Sequence, residues 1–206
     1  MKLKILSSLF LAVTLLFSAQ EAKSAEIFRN STPNGSCAIA FFGDIEVGDD
    51  SMFAALSSHC NEGGVLFQSS GGKLVAGLRI GELIRERGLE TAVSYESMCT
   101  SACALAWLGG VKRHMFTTSR IGFHAAYTSK GKETLESGVG NALVGAYMTK
   151  LGLPRNAIIF ATSAKPTSMS WLDIREAQSL GINVQKLTDK DREWIENLAD
   201  YPHRTK

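Results

Sequence analysis

The chain has 206 residues, of which 45% are apolar and 20% charged, with a formal net charge of +2. Its basic residues are scattered, with no dense Lys/Arg run to track a phosphate backbone, which argues against nucleic acid as a partner. No internal repeat or low-complexity stretch stands out, which excludes solenoids and disordered tracts, and the apolar fraction suffices for one packed core.

At the N-terminus, Lys2 and Lys4 precede an apolar run over 5–17, and small and polar residues follow at Ala22-Lys-Ser-Ala25. This is the pattern of an export signal. The run falls short of the roughly 20 residues that span a bilayer, so cleavage after Ser24 or Ala25 is expected rather than anchoring. The expected organisation is a signal peptide over 1–25 and a single domain over 26–206, with no stable membrane span after cleavage and a periplasmic or secreted location.

The run Cys37-Ala-Ile-Ala-Phe-Phe42 reads as a buried strand, followed by a helix over 52–58 capped by Asp50 or Ser51. Val65-Leu-Phe-Gln-Ser-Ser70 reads as a second strand, running through Gly71-Gly72 into a helix over 74–87 that Gly88 ends. A third strand over 91–95 leads to a turn containing Ser101, then to an apolar helix over 102–108 closed by Gly109-Gly110. Extended pieces over 115–118 and 121–123 deliver His124 at a strand end. From 130 to 150 the chain turns polar and then amphipathic, with Leu143, Tyr147, Met148 and Leu151 on one helix, and Pro154 starts another through Phe160. Together these suggest a helical arm. A closing helix over 173–180 carries the capping box of Asp173 and Glu176 and ends at Gly181, and a charged helix over 189–201 is expected on the surface. Strands alternating with helices imply an α/β domain with parallel strands joined by right-handed crossovers.

In an exported chain the four cysteines are expected to oxidise. Of the three pairings possible, Cys37 with Cys60, joining the first strand to the end of the first helix, and Cys99 with Cys103, closing around the serine turn, are the favoured disulfides, with buried free thiols as the alternative reading. No second tight Cys/His pair follows Cys99 and Cys103, so no metal is expected.

Three features carry chemistry. Ser101 stands at a strand-to-helix turn, where a hydroxyl can be held exposed at a helix N-terminus. His124 ends a neighbouring strand, where it can act as general base. Gly71-Gly72 leaves backbone N–H groups open to an anion. Taken singly, each has a plain structural reading: a serine N-cap, a packed strand-end histidine and a tight turn. Their joint order favours catalysis.

On these residues the chain resembles the Clp-type serine peptidases of the ClpP/crotonase fold, in their exported, ClpP-like branch. Ser70-Gly-Gly72 with Val75-Ala-Gly-Leu-Arg-Ile80 looks like the family's Ser-Pro-Gly-Gly turn and following helix, with Ser70 in the proline's place. Ser101-Ala102 matches the nucleophile and its successor, and Gly109-Gly110 with Arg113 matches the segment after the nucleophile helix. Ile121-Gly-Phe-His124 resembles the strand bearing the catalytic histidine. Trp171-Leu172, Glu176-Ala177 and Gly181-Ile182 resemble the closing helix. The resemblance covers roughly 39–184 and implies a repeated ββα superhelix with a parallel central sheet and a helical arm. It also implies a homo-oligomer, peptides or unfolded polypeptides as substrates, and no cofactor. Ser101 and His124 would be catalytic, with Gly71, Gly72 and Ala102 forming the oxyanion hole. Where the family has an aspartate, this chain has Thr167-Ser-Met-Ser170. Asp173 is the nearest carboxylate and the possible third member; a Ser/His dyad oriented by Ser168, Ser170 or a backbone carbonyl is the other arrangement. Two further readings stay open: a catalytically weak or inactive exported binding or scaffold protein, and an acyl-CoA enzyme of the crotonase type, which the scarcity of acyl-CoA outside the cytoplasm disfavours.

Overall fold

The structure, a computed structural model, describes residues 24–31, 36–131 and 133–192. Its main sheet begins with β1 (Glu26–Ser31) and β2 (Cys37–Phe42), which pair antiparallel. Then come β3 (Gly63–Gln68), β4 (Glu90–Val93), β6 (Arg113–Phe116) and β11 (Gln185–Leu187), in the order β1-β2-β3-β4-β6-β11. From β2 onward every pairing is parallel. Parallel neighbours need crossovers, and helices α1 (Asp49–Leu56), α2 (Leu74–Glu86) and α3 (Ala102–Leu108) lie on those between successive strands from β2 to β6. The unbroken apolar run of β2 follows from that cover, because a strand packed on both faces has no polar side; Ile39 and Phe41 are at most 1% exposed.

A second, three-stranded sheet holds β5 (Met98–Thr100), β7 (Arg120–Phe123) and β10 (Ser170–Leu172), with β7 central, parallel to β5 and antiparallel to β10. A parallel bridge from Ser69 to Cys99 ties the end of β3 to β5. The chain continues through a hairpin, β8 (Tyr127–Lys130) and β9 (Glu133–Glu136), whose residues are all exposed, and then through the expected arm, α4 (Gly138–Lys150) and α5 (Arg155–Ser163), which does not protrude throughout but packs Val144, Tyr147, Met148, Ala157 and Ala161 into the core. Helix α6 (Ile174–Ser179) precedes β11.

Several elements differ from the sequence expectation. β1 and β11 were not foreseen, since both are edge strands with no continuous apolar run. β5 occupies what reads as turn, and the polar stretch after 130 contains half of a hairpin. Helix α1 starts at Asp49 behind a left-handed Gly48, not behind Asp50 or Ser51. Of the expected helix over 189–201, residues 189–192 are helical and the rest lies outside the described residues.

Both expected cysteine pairs are joined, with Cα separations of 5.5 Å for Cys37–Cys60 and 5.2 Å for Cys99–Cys103. All seven residues of α3 are buried, so its last carbonyls need protein partners. They have them: Leu105 O accepts from the Tyr147 hydroxyl at 2.9 Å, Trp107 O from Thr91 Oγ1 at 2.8 Å and Leu108 O from Arg113 Nε at 2.8 Å. Tyr147 thereby pins the arm to α3, and burial raises its phenol well above the ordinary tyrosine range. Helix α2 reaches α3 through glycines: a Cβ on Gly77 would lie 2.7 Å from Ala102 O, and one on Gly81 would lie 3.1 Å from Ala106 Cα.

Candidate active site

The register of the small sheet brings the serine and the histidine to adjacent strand ends. Thr100 pairs with Gly122, and Ser101 N donates to Gly122 O at 2.9 Å. Ser101 is thus level with Phe123, and His124 follows one residue on along a strand about 4.8 Å away. Ser101 and His124 are both half-buried and line one pocket of about 370 Å³, together with Gly72, Leu74, Leu105 and Phe123.

Ser101 does not cap its helix. It occupies the N-cap position of α3 with φ 56° and ψ −126°, and among the described residues its hydroxyl makes no hydrogen bond. A non-glycine residue in that region costs about 1–3 kcal/mol and persists only where its surroundings hold it. Here Cys99–Cys103 brackets it, with both cysteines fully buried. Thr100 Oγ1 donates to Ser70 O at 2.8 Å just before it, and Leu105 N donates to Ser101 O just after. Strand, positive-φ serine and helix form a sharp turn, the local geometry in which a serine hydroxyl can be presented as a nucleophile.

His124 Nδ1 lies 2.8 Å from the carbonyl oxygen of Ala125. A carbonyl only accepts, so Nδ1 carries the proton, and in the neutral ring Nε2 keeps its lone pair free. Asp173, the possible third member, is elsewhere. β10 runs antiparallel to β7 with Ser170 opposite Phe123, which sets Met169 opposite His124 and Asp173 four residues further, about 13 Å at the rise of a strand. The Asp173 carboxylate caps α6, accepting from Glu176 N at 2.8 Å. What His124 Nδ1 meets is a backbone carbonyl, one of the alternatives to Asp173, and the structure places it at Ala125.

The two glycines divide their work. A Cβ on Gly71 would sit 2.6 Å from Ser101 Cβ and from Thr100 O, so only glycine fits beside the serine. Gly71 N donates to Ser69 Oγ at 3.1 Å and is therefore occupied. The bridge of this turn to Ile45 runs from Ile45 N to Gly71 O and from Lys73 N to Ile45 O, and so passes over Gly72. The N–H groups of Gly72 and Ala102 carry no hydrogen bond among the described residues. Of the N–H groups of Gly71, Gly72 and Ala102, those of Gly72 and Ala102 are thus the unbonded ones among the described residues, and both residues line the pocket. Ser69, which holds Gly71, was missed; a serine two residues before an N–H it can accept from is a local turn signal. Among the described residues no three His, Cys, Asp or Glu side chains gather as metal ligands would.

No protein-family model and no curated protein matches the chain. Among solved structures it is similar to a mutant of the 1510-N membrane-bound stomatin-specific protease, with a TM-score of 0.57 at 16% identity, covering 78% of this chain and 83% of that one. A mutant of ClpP1 from Listeria monocytogenes aligns at 17% identity over 74% of this chain and 92% of that one, with a TM-score of 0.47. No helix among the described residues is long and apolar enough to cross a membrane. With a mixed α/β body, a serine elbow beside a strand-end histidine and this structural likeness, the chain has the fold of the ClpP-like serine peptidases.

Proposed function

We propose that the protein is an exported serine-type peptidase that cleaves peptides or unfolded polypeptides through an acyl-enzyme. His124 Nε2 takes the Ser101 proton as the hydroxyl adds to a peptide carbonyl. The oxyanion is held by the N–H groups of Gly72 and Ala102, and His124 returns the proton to the leaving amine. Water then repeats the steps in reverse order and frees the carboxylate and Ser101. No cofactor enters. The observation that carries this reading is the strained, uncapped Ser101 sharing a pocket with a histidine whose Nδ1 is held and whose Nε2 is free. Leu74, Leu105, Phe123, Val144 and Ala161 give that pocket an apolar wall, which suits an apolar substrate side chain. Export is supported by the N-terminal pattern and by two disulfides, which belong to oxidising compartments. Val139, Leu143 and Ile159, exposed on α4 and α5, support a homo-oligomer formed through the arm. We read the two layers of strands as turns of one ββα superhelix.

One observation favours the second reading, an exported binding or scaffold protein with weak chemistry: among the described residues no carboxylate meets His124, and a triad that loses its aspartate can lose about 10⁴ in turnover. The oxidised protein lacking its signal, treated with a fluorophosphonate, separates the two. Labelling abolished by Ser101→Ala and by His124→Ala is the expected result; no labelling of the folded wild type would assign the protein to the binding class.

A further inference from the structure

Asp49 is only 3% exposed, in the first turn of α1. Among the described residues no lysine, arginine or histidine reaches it. Its oxygens are instead turned toward the start of β1. Oδ1 accepts from the Ser24 hydroxyl, and Oδ2 accepts from Ala25 N at 3.3 Å and from Glu46 N at 2.8 Å. A carboxylate buried without a cation is costly, and the atom beside it is the backbone nitrogen of a residue at the expected cleavage point. Sequence and packing single out one of the two candidate bonds. Cleavage between Ser24 and Ala25 places the small residues Ser24 and Ala22 at the first and third positions before the cut, as such sites require. Cleavage one residue later would put Lys23 at the third position. It would also discard Ala25, whose side chain packs on the core.

We propose that the mature chain begins at Ala25 and that Asp49 is the binding site for its α-ammonium group. A leader-processing peptidase adds water across the Ser24–Ala25 amide: the C–N bond breaks, Ser24 departs as a carboxylate and Ala25 N becomes an ammonium. The same nitrogen that now donates one amide hydrogen to Asp49 Oδ2 then faces it with a positive charge and three hydrogens. The pair braces more than the terminus. Asp49 also holds Glu46 N, the neighbouring Ile45 accepts from Lys73 N at 2.8 Å, and Ile45 N donates to Gly71 O at 2.6 Å. The new N-terminus is thereby linked to the turn that presents Gly72.

The inference rests on the export reading, and two measurements test it. The first is the intact mass of the protein recovered from the periplasm of a bacterium producing the full chain. A mass beginning at Ala25 is expected. A mass beginning at Glu26 or another residue overturns the proposal and leaves export standing; a chain still carrying Met1 overturns both. The second compares thermal unfolding at neutral pH of the protein beginning at Ala25 with the same protein carrying Gly-Gly-Ser-Gly ahead of it, each also with Asp49→Asn. The extension should lower Tm by about 5 °C or more when Asp49 is present and have no further effect beside Asp49→Asn. Equal Tm for the two Asp49 proteins overturns the proposal, and that comparison holds even if Asp49→Asn fails to fold.

Discussion

Replacing Gly77 by alanine tests whether the contact between α2 and α3 sets the nucleophile's position. In an exposed helix interior this change gains about 1 kcal/mol of propensity. Here the new Cβ would stand 2.7 Å from Ala102 O, 2.8 Å from Ala102 Cβ and 3.2 Å from Ala102 C. Carbon atoms rest at about 3.5–4.0 Å, so the two helices must part locally by about 1 Å. Overpacking of that kind costs about 1–3 kcal/mol and so offsets or exceeds the propensity gain. We expect Tm to be unchanged or to fall by a few degrees. The larger effect should be on chemistry, because Ala102 is bonded to Ser101 and is one of the two proposed oxyanion donors. A shift near 1 Å is worth about 10²-fold in rate. The assay is the rate of fluorophosphonate labelling alongside a thermal melt. Gly145→Ala on α4 is the control, because its Cβ would meet only Ile158 Cγ2 at an ordinary 3.8 Å; it should leave labelling unchanged and Tm equal or slightly raised. Labelling of Gly77→Ala at the wild-type rate would refute the reasoning, whatever the melt shows.

Two other outcomes follow from residues beside the site and away from it. Asp173→Ala removes the α6 cap and should cost about 0.5–2 kcal/mol of stability, with labelling within twofold of wild type; a loss as deep as that of His124→Ala would make Asp173 a working member of the site. Burial acts to raise Glu90, but hydrogen bonds from Lys112 at 2.6 Å and His114 at 2.8 Å outweigh it and hold the carboxyl below its ordinary value of 4.5. A carboxylate lowered in the folded state stabilises above its unfolded value, and that contribution is lost as pH falls through the folded one. Glu90→Gln should therefore melt less steeply with falling pH below about 4.5 than wild type, and parallel curves would deny Glu90 that part.

The α/β alternation, the four cysteines and the order Gly71-Gly72, Ser101, His124 are all readable along the chain, because each depends on neighbours a few residues away. Apolar runs show which segments must be buried, and glycine beside serine shows where a backbone can turn sharply. What the sequence leaves open is which polar atom meets which. Ser69 Oγ accepts from Gly71 N while the bridge to Ile45 passes over Gly72, so one of two adjacent glycines keeps a free donor. Ser69 is local, but the bridge that skips Gly72 is made with Ile45, in another segment of the chain. Asp173 and His124 lie near the same pair of strands in sequence order, yet the antiparallel register sets them about 13 Å apart along the strand, and a neighbouring carbonyl takes Nδ1 instead. Edge strands β1 and β11 and the exposed hairpin carry little apolar pattern, since their partners rather than their own side chains define them. Local chemistry decided the candidates; the strand register decided which of them stand side by side, and the turn geometry that the fold imposes decided which polar atom, even one only a residue or two away, each donor meets, because a buried donor or acceptor is fixed by whatever lies within about 3 Å of it.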